Sequence, residues 1–215
     1  MSQDSRSIRE DIVEVAQALD AMGLVPNKSG NVSCRVAGGF CITPAAVPYR
    51  ELTADSIAHV RFGAEPTGDG ARPSSEWRMH GAIYDARPDV TAIVHTHSPQ
   101  ATSLACAGRG IPPFHYMIAL AGGEVRCMPY ATFGTAELAT TAVRGLEGRR
   151  AALLANHGVI AVGPSLRVAH SVALEVENLA GEYLALLAAG LTPQLLDAAE
   201  LQRVIDKFAG YGRLG

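Results

Sequence analysis

The sequence contains few charged residues, few aromatic residues and almost no lysine. Charged residues make up 18% of the 215-residue chain, and the formal net charge is −3. Charge that is sparse and balanced argues against nucleic acid or a membrane surface as the main partner. There is one tryptophan, with six tyrosines and five phenylalanines. Lys28 and Lys207 are the only lysines, so a mechanism that requires a lysine has two candidates.

The sequence also lacks a long apolar run. The first fifteen residues carry charges throughout and contain no signal-peptide core, and no stretch approaches the roughly 18 apolar residues of a membrane span. The four cysteines, Cys34, Cys41, Cys106 and Cys127, include no C-x-x-C pair. This favours reduced, mostly buried thiols, and we therefore expect a cytoplasmic protein.

What the sequence does contain is a regular alternation of helix and strand patterns. Helices are predicted over 7–23, from Ser74 or Ser75 to a residue before Pro88, from near Thr135, over 165–190 and over 193–208. Strands are predicted over 31–36, 40–43, 57–61, 90–97, 125–128, 151–155 and 159–162. Strands interleaved with helices indicate an α/β fold whose helices cover a sheet. The Gly38-Gly39 turn makes part of that sheet antiparallel, and the length favours one domain over residues 1–215.

The most informative stretch is His95-Thr96-His97 at the end of a predicted strand. Residues i and i+2 of a strand face the same side, so His95 and His97 would present two imidazoles together. Zinc-type metals bind neutral imidazole nitrogens. The alternative is two separately hydrogen-bonded histidines at a strand end.

Two further residues raise the expectation of a metal site. His157 lies in a short turn between two apolar runs, although a histidine there could also bond only to backbone. Glu76 is an acidic fourth candidate, although a glutamate in a first helical turn also simply suits the helix dipole. Serine hydroxyls and free amides at a helix N-terminus bind phosphate well. A carboxylate just after Ser74 and Ser75 would then lie beside a bound anion.

Several short segments occur in a characteristic order. They are residues 30–33, 42–44 with 47–49, 73–78, 94–97, 111–112 with 115–119, 129–135 and 156–158, and finally Phe208 with Tyr211-Gly212. Together they resemble the class II aldolase and adducin-head family, and within it the L-fuculose-1-phosphate aldolases. The resemblance covers nearly the whole chain. Each segment is weakly specific alone, whereas the ordered set is highly specific.

The resemblance implies a three-layer α/β/α domain with a mixed, mostly antiparallel central sheet. It also implies a homotetramer with active sites between neighbouring subunits, acting on a small phosphorylated sugar. Zn²⁺, or another divalent ion such as Mn²⁺ or Co²⁺, would be held by His95, His97 and His157. Glu76 would be the ligand that can also leave.

The remaining site residues are also implied by the resemblance. The phosphate would lie among Asn31, Ser74 and Ser75, beside Gly30. Phe133 matches a residue that shapes the aldehyde side of the site. Tyr116 and Tyr211 match tyrosines that a neighbouring subunit contributes.

The implied reaction agrees with the shortage of lysine. Cleaving a carbon–carbon bond next to a carbonyl requires a lysine Schiff base or a metal ion that stabilises the enediolate. Lys28 lies in a polar loop and Lys207 in an amphipathic helix, so neither resembles the desolvated lysine that Schiff-base chemistry prefers. We hypothesise that Glu76 exchanges the proton at carbon and that Tyr116 handles the proton on the aldehyde oxygen.

The sequence departs from the fuculose-phosphate aldolase pattern at Ala45 and Ala46. That pattern has Thr-Gly there, and both residues help to bind phosphate. One hydroxyl donor is therefore lost, and a glycine has become alanine. Lys28 could compensate with a charge nearby, and backbone amides could still contribute.

Three alternatives remain open at this point. A sugar-phosphate 4-epimerase of the same superfamily usually carries Asp where this chain has Glu76. An aldolase or dehydratase acting on a deoxy-pentulose or methylthio-ribulose phosphate fits the same motifs. A non-catalytic adducin-like scaffold could lose its metal ligands freely, whereas all four candidates are present here.

Overall fold

The computed structural model describes residues 5–66 and 71–211, and its centre is a seven-stranded sheet. The strands are β1 (Asn31–Val36), β2 (Gly39–Ile42), β3 (Ala58–Arg61), β4 (Ala92–Thr96), β5 (Arg126–Met128), β6 (Ala151–Leu154) and β7 (Gly158–Gly163). Their order across the sheet is β3-β2-β1-β4-β7-β6-β5. Neighbouring strands are antiparallel except β5 and β6, which are parallel. The mixed, mostly antiparallel sheet is therefore confirmed.

Helices cover both faces of this sheet. They are α1 (Ser5–Ala21), α2 (Trp77–Ala86), α3 (Pro99–Cys106), α4 (Ala136–Gly145), α5 (Leu166–Ala188) and α6 (Ala198–Tyr211). The apolar sides of α1, α3 and α5 are buried in one cluster, and those of α2 and α4 in another on the opposite face. The three-layer α/β/α arrangement is confirmed. Within the described residues, no helix combines the length and apolar content needed to cross a membrane.

The sequences of the central strands are nearly continuous apolar runs, because helices cover both faces of these strands. In β4, Ala92 and Val94 pack in the α1/α3/α5 cluster, while Ile93 packs in the α2/α4 cluster. All residues of β7 are buried as well. His95 alternates with Val94 and therefore lies on the α2 side of the sheet.

Two predicted helix starts were wrong, each for a local reason. Helix α2 begins at Trp77 rather than at Ser74 or Ser75. The chain before it is bridged to the 43–45 segment, because the backbone N–H of Ser74 donates to the Thr43 carbonyl (3.0 Å). Helix α1 already includes Ser5, so Ser7 lies inside the helix and does not cap it.

The last third of the chain shows one further shift and one omission. Helix α6 begins at Ala198 rather than near 193, because the Asp197 side chain accepts from the Glu200 backbone N–H at 2.8 Å. Helix α3 was not predicted at all. Its small side chains give no pronounced apolar periodicity in the sequence.

Candidate active site

The four predicted metal ligands meet at one end of the central strands. His95 is in β4, His97 follows it directly, and His157 lies in the turn between β6 and β7. Glu76 is the residue that caps α2. One ligand atom from each of the four lies within 4.8 Å of the others.

The ligand atoms face one another closely. His95 Nε2 is 3.0 Å from His97 Nε2 and 3.1 Å from Glu76 Oε2. His157 Nε2 is 3.2 Å from Glu76 Oε1. His95 Nδ1–H donates to the Val159 carbonyl at 2.8 Å, which leaves the Nε2 lone pair directed at the cluster. Such a second hydrogen bond fixes both the tautomer and the ring orientation of a metal-binding histidine.

The charges in this cluster favour a cation at its centre. Burial by itself raises the pKa of the Glu76 carboxyl, but His95 and His157 outweigh it and hold that pKa well below its ordinary range. Burial lowers the pKa of His95, but the Glu76 carboxylate reverses this effect and leaves it raised. Burial and the two neighbouring imidazoles lower the pKa of His97 to about 3. Glu76 and His97 are thus held in the forms that bind metal, an ionised carboxylate and a neutral imidazole, whereas a metal ion would take the place of the proton that Glu76 favours on His95.

The donor set fits a divalent metal ion. Glu76 is only 6% exposed, yet its Oε1 makes no hydrogen bond of acceptable geometry with any described residue, despite the nearby His157. A buried oxygen without a donor is costly unless something else satisfies it. Three imidazole nitrogens and one carboxylate match the ligand types and number that Zn²⁺ prefers.

A cavity of about 420 Å³ opens beside the cluster. The predicted substrate residues all line it, namely Lys28, Gly30, Asn31, Ala45, Ala46, Ser74, Ser75 and Phe133, together with Glu76, His97 and His157. A larger groove of about 1550 Å³ lies between α1 and the start of α5. It contains none of the predicted site residues, so the smaller cavity is the candidate active site.

Several residues at the end of the cavity that is predicted to bind phosphate have a positive φ. Gly30 has φ +99°, and a Cβ there would lie 2.5 Å from the His95 carbonyl oxygen, so only glycine permits this approach of β1 to β4. Lys28 and Ala46 both have φ 64°, in the left-handed region. A residue with a Cβ adopts that region at a cost of roughly 1–2 kcal/mol. Ala46 thus retains a conformation suited to the glycine of the family pattern.

Two predicted residues are not brought into this cavity. Tyr116 is 52% exposed, does not line the cavity, and stacks on Phe208 with ring centroids 6.3 Å apart. Tyr211 is the last residue of α6, and its side chain lies outside the described part of the chain. Their proposed contribution to a neighbouring subunit's site therefore stays a prediction.

Some lining residues were missed by the sequence analysis. Tyr130 is 57% exposed beside Phe133, which is 65% exposed, and both line the cavity. Tyr130 belongs to the 129–135 segment that carries part of the resemblance. The sequence pattern does not show that its ring is exposed at the cavity; only the structure does. Asn156 also lines the cavity and has φ 55°, the left-handed turn that directs His157 inward.

Comparison with known proteins gives consistent matches over most of the chain. The model of the class II aldolase and adducin N-terminal domain matches residues 10–184. The 5-methylthioribulose-1-phosphate/5-deoxyribulose-1-phosphate aldolase of Rhodospirillum rubrum is 45% identical over 207 residues, covering 96% of this chain and 93% of that protein. The L-fuculose phosphate aldolase of Escherichia coli is 40% identical over 210 residues, covering 97% of each chain. A solved L-fuculose 1-phosphate aldolase superposes with TM-score 0.91 at 35% identity, covering 97% of this chain and 98% of that one.

Proposed function

Since the chain belongs to the class II aldolase and adducin N-terminal domain family and is a class II aldolase, a lyase, we propose that it cleaves a ketose 1-phosphate. The products are dihydroxyacetone phosphate and an aldehyde. The observation that carries this proposal is the convergence of Glu76 and three histidines beside a cavity lined by phosphate-type donors. An L-fuculose 1-phosphate-like sugar, which gives lactaldehyde, is the first candidate substrate.

A second candidate is 5-deoxyribulose or 5-methylthioribulose 1-phosphate, the substrate class in the name of the Rhodospirillum rubrum relative. The exposed rings of Tyr130 and Phe133 at the cavity favour an aldehyde with a short apolar end. A thioether sulfur also makes favourable contacts with aromatic rings. Both candidates share the phosphate, the carbonyl and the bond that breaks.

The chain's own residues supply the proton transfers in this proposal. We take Zn²⁺ as the bound ion, and when bound it polarises the substrate carbonyl and stabilises the negative charge that develops on cleavage. Glu76 exchanges a proton with the carbon at which the bond breaks. Tyr116 of a neighbouring subunit protonates or deprotonates the aldehyde oxygen, and Tyr211 is the second tyrosine that the neighbour contributes. Lys28 is exposed, so it lacks the desolvation that Schiff-base chemistry needs.

The proposed role of Tyr116 has a consequence for the subunit arrangement. A site that needs Tyr116 cannot be completed within one chain, because this exposed side chain does not line its own cavity. We therefore propose active sites between neighbouring subunits, within the homotetramer that the family resemblance implies. The four cysteines are free, which suits the reducing cytoplasm.

A panel of ketose 1-phosphates tests the proposed reaction. We expect release of dihydroxyacetone phosphate from L-fuculose 1-phosphate, 5-deoxyribulose 1-phosphate or 5-methylthioribulose 1-phosphate. The release is measured by a coupling enzyme that reduces the dihydroxyacetone phosphate as it forms. The ratio of kcat/KM among the three then identifies the substrate. Activity on none of these sugars, in protein loaded with Zn²⁺, would count against the proposal. Interconversion of C4 epimers instead of cleavage would support the epimerase alternative.

Lys28→Ala is expected to raise KM for the phosphorylated substrate about three- to tenfold and leave kcat nearly unchanged. The reason is that Lys28 lines the cavity near Ala45 and Ala46, where it supplies a positive charge. Because Lys28 is exposed, the effect should shrink as ionic strength rises. Arg61→Ala is the matched control, since it removes the same charge from the exposed edge of β3. An unchanged KM for Lys28→Ala at low salt would contradict the compensating role.

A further inference from the structure

A buried ladder of polar side chains extends behind Glu76, away from the cavity. Glu76, His80 and Tyr84 are spaced four residues apart, so they line one side of α2 and its cap. Asn31 and Ser33 alternate with apolar residues along β1 and face the same side. The three helical side chains and the two strand side chains interleave.

Each member of the ladder contacts the next. Asn31 Nδ2 donates to Glu76 Oε2 at 3.0 Å, and Asn31 Oδ1 pairs with His80 Nε2. His80 Nδ1 is 2.7 Å from Ser33 Oγ, which is 2.8 Å from the Tyr84 hydroxyl. Tyr84, Ser33 and His80 are at most 1% exposed. Water therefore has almost no access to these hydrogen bonds.

The carboxylate fixes the direction of every hydrogen in the ladder. An ionised Glu76 only accepts, so the NH₂ of Asn31 must face it and the amide oxygen must face His80. His80 must then carry its hydrogen on Nε2 and accept at Nδ1. That acceptor takes the Ser33 hydroxyl hydrogen, and Ser33 Oγ accepts from Tyr84. In this one arrangement each of the four contacts from Glu76 Oε2 to the Tyr84 hydroxyl joins a donor to an acceptor.

The amide of Asn31 is wholly committed to this network. Its second hydrogen is directed to Ser74 Oγ, 3.0 Å away. The Asn31 side chain therefore holds the Glu76 carboxylate and the Ser74 hydroxyl and has no hydrogen left for the predicted phosphate contact, although the residue lines the cavity. Burial also lowers the pKa of His80 to about 3, so this histidine stays neutral.

We propose that His80 is a positioning residue, and that through Asn31 the ladder holds the Glu76 carboxylate in the orientation that binds the metal ion. This inference rests on the proposed metal centre. Residues that orient a ligand from behind typically change metal affinity or activity by about 10- to 100-fold when removed.

His80→Leu tests the proposal, because it removes both ring nitrogens at similar volume. We expect Zn²⁺ affinity, measured by competition with a chelating dye, to fall about 10- to 100-fold. His80→Gln retains a donor toward Asn31 and should recover most of the affinity. Tyr84→Phe removes only the last hydroxyl and should change affinity less than about threefold.

Ile83→Val is the matched control for a merely structural effect. Ile83 is fully buried on the same helix, and trimming it by one methyl group lowers stability without touching the ladder. Its Zn²⁺ affinity should equal that of the wild type. The proposal is overturned if His80→Leu binds Zn²⁺ like the wild type, or if Ile83→Val weakens binding equally.

The tautomer of His80 provides a test that needs no variant. Nitrogen-15 NMR of the wild-type protein should show the His80 hydrogen on Nε2, and a hydrogen on Nδ1 would overturn the proposed direction even if His80→Leu fails to fold. Zn²⁺ affinity does not depend on the identity of the sugar. Wild-type protein that binds no Zn²⁺ would refute the metal centre itself, whereas binding that is insensitive to His80→Leu refutes only the ladder.

Discussion

Glu76→Gln is expected to lower kcat for ketose 1-phosphate cleavage by about 10²- to 10⁴-fold, the range typical of general acid–base catalysis. The amide has nearly the shape of the carboxylate but cannot accept a proton from carbon at neutral pH. KM should change much less, since the phosphate contacts proposed for Ser74 and Ser75 stay in place. Steady-state kinetics at saturating Zn²⁺ measures both constants.

A second measurement separates proton transfer from metal binding in this variant. The wild type should exchange the C3 hydrogen of dihydroxyacetone phosphate with deuterium from D₂O, and Glu76→Gln should lose this exchange even with Zn²⁺ bound. Glu51→Gln is the control, because Glu51 is exposed, lies outside the cavity and pairs with Arg50 at 3.3 Å. Near-normal turnover or exchange by Glu76→Gln would remove the proposed role of Glu76.

His157→Ala is expected to lower kcat/KM by more than about a thousandfold. One imidazole of the cluster is lost, and metal-ion stabilisation of developing charge contributes several kcal/mol to such reactions, each 1.36 kcal/mol being tenfold in rate. His157 is a better test than His95, because it lies in a turn at the cavity, whereas His95 lies in the central strand β4 with its side chain fully buried. Elemental analysis should show much less zinc per chain after dialysis.

Thermal unfolding checks the same change without substrate. Zn²⁺ that binds the folded state raises the unfolding temperature, so the wild type should be stabilised by added Zn²⁺ and His157→Ala should respond far less. His59→Ala is the control, since His59 is exposed on edge strand β3 and lies outside the cluster. Equal zinc content and equal activity in His157→Ala and the wild type would rule out His157 as a ligand.

The sequence predicted the sheet well because its strands are short and the strands β2, β4, β6 and β7 are buried along their whole length. Residues 31–36 match β1, and the Gly38-Gly39 turn places β2 beside it. Local pattern was insufficient where a long-range contact competed with it. Ser74 and Ser75 have the composition of a helix start, yet the bridge from Ser74 to Thr43 delays the helix until Trp77.

The same limit applies to the site. The H-x-H spacing of His95 and His97 indicated a pair of ligands, but the place of Glu76 and His157 beside them depends on strand pairing between distant segments. The resemblance supplied that missing information. It did not supply the contact of Asn31 with His80, since the four-residue spacing of Glu76, His80 and Tyr84 becomes meaningful only when β1 lies alongside.

The close approach of the ligand atoms has a consequence for how this chain can evolve. His95 Nε2 lies 3.0 Å from His97 Nε2 and 3.1 Å from the buried Glu76 carboxylate, and polar groups crowded together in this way are a local conflict within an otherwise consistent fold. Substitutions that relaxed this conflict would favour the folded state and at the same time dismantle the reaction centre. Selection for robustness and selection for turnover therefore oppose each other at this end of the sheet, while elsewhere in the core they coincide.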